Sequence, residues 1–268
     1  MPSGKQSKRR RAAQAPPPVR ATARKRQASP RVLAIAGTLL ALAVAAVVLG
    51  VAVSGGGDSK ETTAVPARGS LANALPGAVE TQQLLKGIPQ SGNVLGEPSA
   101  PVTVYEYVDA QCPFSREFEV QALPTLIERY VRTGKAKLEL RPIAFIGPDS
   151  ERGRAALIAG GQQNKMFNVA QLLYSNQGSE NSGWLSDELV ESVAASIPGV
   201  DVPRLLADRS ASSVADQAAT FNTDATTDGV KVTPTILVGK SGQEAKLVAL
   251  ATATDAEPVA RAIDAALR

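Results

Sequence analysis

The longest unbroken apolar stretch of the chain is VLAIAGTLLALAVAAVVLGVAV, residues 32 to 53, 22 positions without a charge. At about 1.5 Å per residue a helix of this length reaches roughly 33 Å, enough for a hydrocarbon core of about 30 Å. A helix buried in a globular core normally keeps a polar stripe. Here only Gly37, Thr38 and Gly50 interrupt the apolar run, so the pattern predicts one transmembrane helix over 32–53. The rhythm then stops. SGGGDSKETTAVPARGS has three consecutive glycines and no apolar period, which predicts a flexible linker over 54–87. Within it LANALPGAVETQQLLK has the composition of a short helix, interrupted at Pro76-Gly77.

From residue 88 to 268 the pattern alternates between strand and helix, which makes the fold class α/β with a single core of ample size. PVTVYEYVDA (101–110) is too continuously apolar for a half-exposed strand and reads as a central one. SREFEVQALPTLIERYVRTG then places Leu123, Ile127, Tyr130 and Val131 on one helical face, with a kink expected at Pro124 and a C-cap at Gly134. KAKLELRPIAF (135–145) is the next strand. Helical patterns fill the following stretch, a predicted insert over about 148–228. PTILVG and AKLVAL flank KSGQE as a strand hairpin. In TDAEPVARAIDAALR, Thr254 and Glu257 match a capping box, and Val259, Ile263 and Leu267 form the stripe of a final helix.

Charge fixes the orientation. Ten basic residues and no acid precede the apolar span, so residues 1–31 are a basic, disordered cytoplasmic tail and the main domain lies outside the cytoplasm. A cleaved signal ending near Ala52-Val53-Ser54 is the competing reading, although the run exceeds the usual 7–15 residues. Either reading exports the domain. The net charge of +4 is an average over unlike parts, because beyond residue 53 there are 19 Lys and Arg against 25 Asp and Glu. The basic tail suits a membrane flank and anionic lipid, and no nucleic-acid partner is expected.

The chain has one cysteine, in DAQCPFSREFE (109–119), and no histidine. The lack of histidine excludes Ser–His and Cys–His hydrolysis and His-ligated metal sites. No metal and no cofactor is expected. Cys112 falls where strand gives way to helix. Orphan N–H groups and the positive dipole end favour a thiolate there, and Ser115 and Arg116 are placed to add a hydroxyl bond and a positive charge to the sulfur. The alternative is a small buried apolar residue, the common fate of a free cysteine. Glu106, on the preceding strand, either moves a proton or pairs with a basic residue.

GNVLGEPSAPVTVYEYVDAQCPFSREFE and GVKVTPTILVGK, with the helical insert between them, resemble the DsbA-like branch of the thioredoxin superfamily, specifically its membrane-tethered bacterial members. The resemblance covers about residues 88–268 and implies a thioredoxin fold with an inserted helical subdomain. It makes Cys112 the nucleophile, with Pro113 and Phe114 the dipeptide that tunes it. Pro234 becomes a cis-proline facing the active site, and Thr233 offers backbone groups to a substrate strand. Glu106 matches a buried acid that moves protons. Ser115 departs from the pattern, standing where a resolving cysteine belongs, so no intramolecular disulfide can form.

What remains is attack by one thiolate to give a mixed disulfide, released by a substrate thiol or an external one. The implied function is a membrane-anchored, extracytoplasmic thiol–disulfide exchange protein, isomerase or reductase-like. Its partners would be exported cysteine-containing proteins or small thiols. Two alternatives stay open: a redox-inactive binding or chaperone module, and a subunit of a membrane complex. The exchange reading expects an exposed Cys112 that forms adducts, the binding module a buried or ordinary one.

Overall fold

Seven residues, Val102–Val108, make the strand on which the domain is built, β3 in chain order. The computed structural model describes residues 65–268. The span expected over 32–53, the basic tail and the first part of the linker lie outside the described residues. Among the described residues no helix is long and apolar enough to cross a membrane.

The chain order is α1 (Ala78–Leu85), β1 (Gln90–Ser91), β2 (Val94–Leu95), β3, α2 (Pro113–Glu117), α3 (Leu123–Leu126), β4 (Ala136–Pro142), α4 (Pro148–Gly161), α5 (Met166–Ser175), α6 (Asp187–Ala195), α7 (Val202–Asp208), α8 (Ser212–Thr227), β5 (Thr235–Lys240), β6 (Lys246–Val248) and α9 (Glu257–Ala266). The strands form one sheet in the order β1-β2-β4-β3-β5-β6. β3 lies centrally, parallel to β4 and antiparallel to β5, and six of its seven residues are buried. Burial on both faces explains its near-continuous run of branched and aromatic side chains. β4 is buried at every second residue, the period of a strand with one covered face.

The helical insert runs from Pro148 to Thr227, close to the expected 148–228. Its core side chains Leu157, Phe167, Leu173, Tyr174, Val190, Leu205 and Phe221 are all at most 2% exposed and join the core of the sheet.

Three local expectations are revised. Part of the segment expected in the linker is built into the domain. Arg68 pairs with Asp201 as an isolated β-bridge, Gly69 and Ser70 donate to Val200 and Ala195 carbonyls, and α1 buries Ala78, Thr81 and Leu85. A Cβ on Gly69 would stand 2.2 Å from the Ile197 carbonyl oxygen, so this strap needs glycine. Pro76-Gly77 starts the helix, with Gly77 at φ +86 as its N-cap, where the sequence suggested an interruption.

The helix after Cys112 is not simply kinked at Pro124. Two wide π turns, Phe118–Ala122 and Ile127–Val131, flank α3. Pro124 lacks an N–H and crowds the turn before it, and the Leu123 N–H reaches back five residues to Phe118 O. The capping box of Thr254 and Glu257 does not form either. The N-cap of α9 is Ala256, and Asp255 Oδ1 accepts from Glu257 N at 2.9 Å.

Candidate active site

Cys112 is the N-cap of α2, extended at φ −70 and ψ 121, with Pro113 as the first helical residue, where a missing N–H costs nothing. β3 ends four residues earlier, and Cys112 N closes that turn by donating to Asp109 O at 3.0 Å. Asp109 fixes the neighbourhood: its carboxylate accepts from the N–H groups of Gln111, Phe145 and Ile146 at 2.7–3.1 Å. Gln177, from the end of α5, donates to Ala110 O and Cys112 O. The loop carrying the thiol is therefore held from three sides.

The thiol itself meets the loop before β5. Cys112 Sγ donates to Thr233 O at 3.2 Å, and the Thr233–Pro234 peptide bond is cis. Cys112 is 6% exposed, so the residue is nearly covered, unlike the open thiol the exchange reading expected. Beside it Phe114 is 60% exposed. Phe114, Glu117 and Pro234 form one wall of a groove of about 340 Å³, and Leu250–Ala253 form the other. Cys112, Pro113, Phe114, Thr233 and Pro234, named from sequence, thus meet at one place. The groove wall at 250–253 was not legible, because those residues carry no motif and arrive from beyond β6.

Ser115 and Arg116 are placed differently from expectation. Ser115 is fully buried and its Oγ has no hydrogen-bond partner, so it makes no bond to the sulfur. Arg116 spends its Nε on Tyr174 O at 3.0 Å. An α-helix points successive side chains about 100° apart, which turns Ser115 inward and away from a sulfur that faces Thr233.

The strand before the thiol and the helical segment after it each contribute one buried carboxyl group. Glu106 is fully buried and neither carboxyl oxygen has a hydrogen-bond partner, so the ion-pair alternative is not realised. Burial, then the charge of Glu119, pushes its pKa well above the ordinary carboxylate range. Glu119 is also fully buried. Burial pushes its pKa up to about 8, with Gln171 Nε2, donating to Oε2 at 2.6 Å, pulling the other way. Tyr174, on the same helix as Gln171, donates to Asp109 O, and burial followed by these negative neighbours raises its pKa strongly. Glu119 was missed in the sequence, although its spacing of seven from Cys112 and four from Ser115 puts it on a shared helical face. Gln171 and Tyr174 gave no signal. Among the described residues no group of three or more His, Cys, Asp or Glu side chains is placed to hold a metal ion.

A single thiol at a helix N-cap, facing the backbone carbonyl before a cis-proline at the head of a strand hairpin, matches one family over most of the domain. The thioredoxin family model covers residues 90–264. The chain belongs to the thioredoxin family.

Among relatives of this thioredoxin-family chain, the probable disulfide bond formation protein D of Bacillus cereus is 36% identical over 117 residues. That alignment covers 42% of this chain and 54% of the relative. Disulfide bond formation protein D of Bacillus subtilis is 25% identical over 166 residues, 60% of this chain and 72% of the relative. The chain spans about half the length of the first of these relatives. Among solved structures, oxidised BdbD of Bacillus subtilis superposes with a TM-score of 0.58 at 21% identity, covering 67% of this chain and 96% of that one. DsbA of Chlamydia trachomatis gives 0.55 at 21%, covering 65% and 90%. These superpositions identify the fold as the DsbA-like form of thioredoxin, with its helical insert.

Proposed function

We propose that this protein is an extracytoplasmic thiol–disulfide exchange protein working through the single sulfur of Cys112, tethered to the membrane by residues 32–53. The observation that carries the reading is the 3.2 Å contact between Cys112 Sγ and Thr233 O at the N-cap of α2. A substrate strand laid beside Thr233 offers that carbonyl a backbone N–H and displaces the thiol from it, which brings the substrate disulfide up to the freed sulfur. The groove between Phe114, Pro234 and Leu250–Ala253 gives that strand an apolar seat.

In the exchange, the Cys112 thiolate attacks one sulfur of a substrate disulfide R–S–S–R′, forming Cys112–S–S–R and releasing R′S⁻. A second thiol of the substrate, or an external small thiol, attacks the R sulfur and returns Cys112 as thiolate. No second cysteine is needed, and no net oxidation occurs: one disulfide is exchanged for another. Exported proteins with cysteines, and small thiols, are the fitting partners. The names of the Bacillus relatives, disulfide bond formation proteins, point to the same substrate class.

The experiment is incubation of the full chain with an oxidised small thiol, followed by intact mass and peptide mapping. A mixed disulfide on Cys112, absent from Cys112→Ser, is the expected result. An unmodified Cys112 would overturn the exchange reading. Two observations favour a second reading, a binding module: Cys112 is only 6% exposed, and the groove is walled by residues other than Cys112. Peptide binding that survives Cys112→Ala, together with no adduct, would select it.

A further inference from the structure

The loop that joins α5 to α6, residues 176–186, reaches back over the turn that carries the thiol. It grips three consecutive residues of that turn. Gln177 Nε2 donates to Ala110 O at 2.9 Å and to Cys112 O at 3.2 Å. Between these carbonyls Gln111 is fully buried, and both ends of its amide meet Asn181. Its Oε1 accepts from Asn181 N at 2.6 Å, and its Nε2 donates to Asn181 Oδ1 at 3.2 Å and to Ser150 Oγ of α4 at 3.0 Å. The far end of the loop is fixed by Gly183 N, which donates to Asp149 Oδ2 at 2.8 Å. The packing leaves no slack. A Cβ on Gly147 would stand 2.2 Å from Asn181 Oδ1, and one on Gly178 would stand 2.7 Å from the Trp184 side chain.

The two bonds of Gln177 differ in what they decide. Cys112 O also accepts from Arg116 N at 3.1 Å, so its place in the first helical turn does not depend on the loop alone. Ala110 O has no second donor among the described residues, and Ala110 is buried. One amide nitrogen on carbonyls two residues apart holds the peptide planes before Gln111 and after Cys112. With those planes it holds the direction in which the Cys112 side chain leaves the backbone.

We propose that Gln177 is a positioning residue for the exchange reaction: through Ala110 and Cys112 it aims the sulfur along the line on which a disulfide arrives past Thr233. The inference rests on the exchange reading above. Attack on a disulfide needs the incoming sulfur in line with the bond that breaks. A misplacement of about 1 Å costs on the order of a hundredfold in such a step. Without the Gln177 amide the buried Ala110 carbonyl is left unpaired, and the turn relaxes toward another donor and swings Cys112 off its line. The exchange keeps the balance given above, because Gln177 adds no atom, moves no proton and touches neither sulfur nor substrate. Asn181 supports it by fixing Gln111. The helical insert thus takes part in the chemistry through one loop.

The test compares two reactions of Cys112 in the full chain at one pH: adduct formation with oxidised glutathione, and alkylation by iodoacetamide. The first demands alignment with a disulfide, the second only a thiolate that a small reagent can reach. Gln177→Met removes both N–H bonds and keeps the length of the side chain. Gln177→Lys keeps a donor over the same carbonyls, and its charge acts on both reactions and drops out of their ratio. The expected result is a fall of about tenfold or more in the ratio of exchange to alkylation for Gln177→Met, with recovery in Gln177→Lys. An unchanged ratio in Gln177→Met would overturn the assignment, as would equal slowing of both reactions, the sign of a turn that is merely disordered. Should thermal unfolding show that Gln177→Met does not fold, Asn181→Ala carries the test. It frees Gln111 and leaves Gln177 in place, so a smaller fall in the same ratio is expected, and no fall would sink the role of the loop. A wild-type thiol that alkylates but forms no adduct would overturn the exchange reading itself, which separates the two failures.

Discussion

The two faces of β3 carry polar residues under opposite conditions. On one face Tyr105 and Tyr107 meet Glu139 and Arg141 of the neighbouring strand, register partners Tyr105↔Glu139 and Tyr107↔Arg141. Arg141 bonds Glu139 Oε1 at 2.8 Å and the Tyr107 hydroxyl at 2.6 Å, reaches Asp224 and Asp228 of the α8 segment, and lies 4.4 Å from the Tyr105 ring. Burial opposes its charge, yet its bonds to Tyr107 and Glu139 outweigh that and hold the guanidinium pKa above its ordinary value. The other face holds Glu106, with no partner for either oxygen. One residue along the strand separates a satisfied polar network from an unsatisfied one. A network complete in its hydrogen bonds fixes structure, whereas unpaired buried acid is retained at a cost to stability. That cost falls on the strand that leads into the only thiol.

The largest expected effect concerns pH. Glu119 rises from an ordinary value of 4.5 to about 8 on folding, so between these limits the folded protein holds a proton that the unfolded chain has released. Stability from this group is complete below about pH 4.5 and is lost as pH rises through about 8. A tenfold difference in proton affinity corresponds to about 1.4 kcal/mol, which makes the loss on the order of a few kcal/mol. Thermal unfolding against pH checks it: Glu119→Gln should remove the part of the fall that ends near pH 8, leaving the contribution of Glu106. Equal slopes in both proteins would show that Glu119 ionises freely in the fold.

The satisfied face is broken by Arg141→Ala. Its side chain is 14% exposed, and removal leaves Glu139, Asp224 and Asp228 as neighbouring unpaired acids. Removing one partner of a buried pair costs about 3–5 kcal/mol; the partners here are 23–35% exposed, so the lower end applies. Denaturant unfolding reads this directly. A loss under about 1 kcal/mol would mean that the network is no stronger than a surface ion pair. Glu106→Leu should act in the opposite direction and by less, adding about 1–3 kcal/mol near neutral pH by removing two unpaired oxygens. Destabilisation by that change would show that Glu106 has a partner after all.

Much of this arrangement was legible in the sequence where the signal is local. The continuous apolar run of β3, the cysteine directly after it, the Pro-led hairpin and the helical insert each follow from short-range pattern, and the resemblance supplied the meeting of Cys112 with Thr233-Pro234. What stayed hidden depends on contacts far apart in the chain. Gln171 meets Glu119 across 52 residues and Arg141 meets Asp228 across 87, and no residue type at either end announces its partner. Strand alternation sets Glu106 on the face opposite the two tyrosines. It did not say which face would be satisfied, because that depends on what α8 and α5 bring. Helix periodicity likewise turns Ser115 inward, which is incompatible with the expected bond from its hydroxyl to the sulfur.

The smallest expected effect is the one that most sharpens the contrast between the faces. Ser115 is fully buried and its hydroxyl is unpartnered, so Ser115→Ala removes a desolvated polar atom and leaves a side chain of nearly the same shape. Replacing an unsatisfied group in this way is neutral or stabilising by up to about 1 kcal/mol. Thermal unfolding near neutral pH should therefore show no loss, and at most a rise of a few degrees. A fall of more than about 1 kcal/mol would mean that the hydroxyl has a firm partner, as each polar group around Arg141 has.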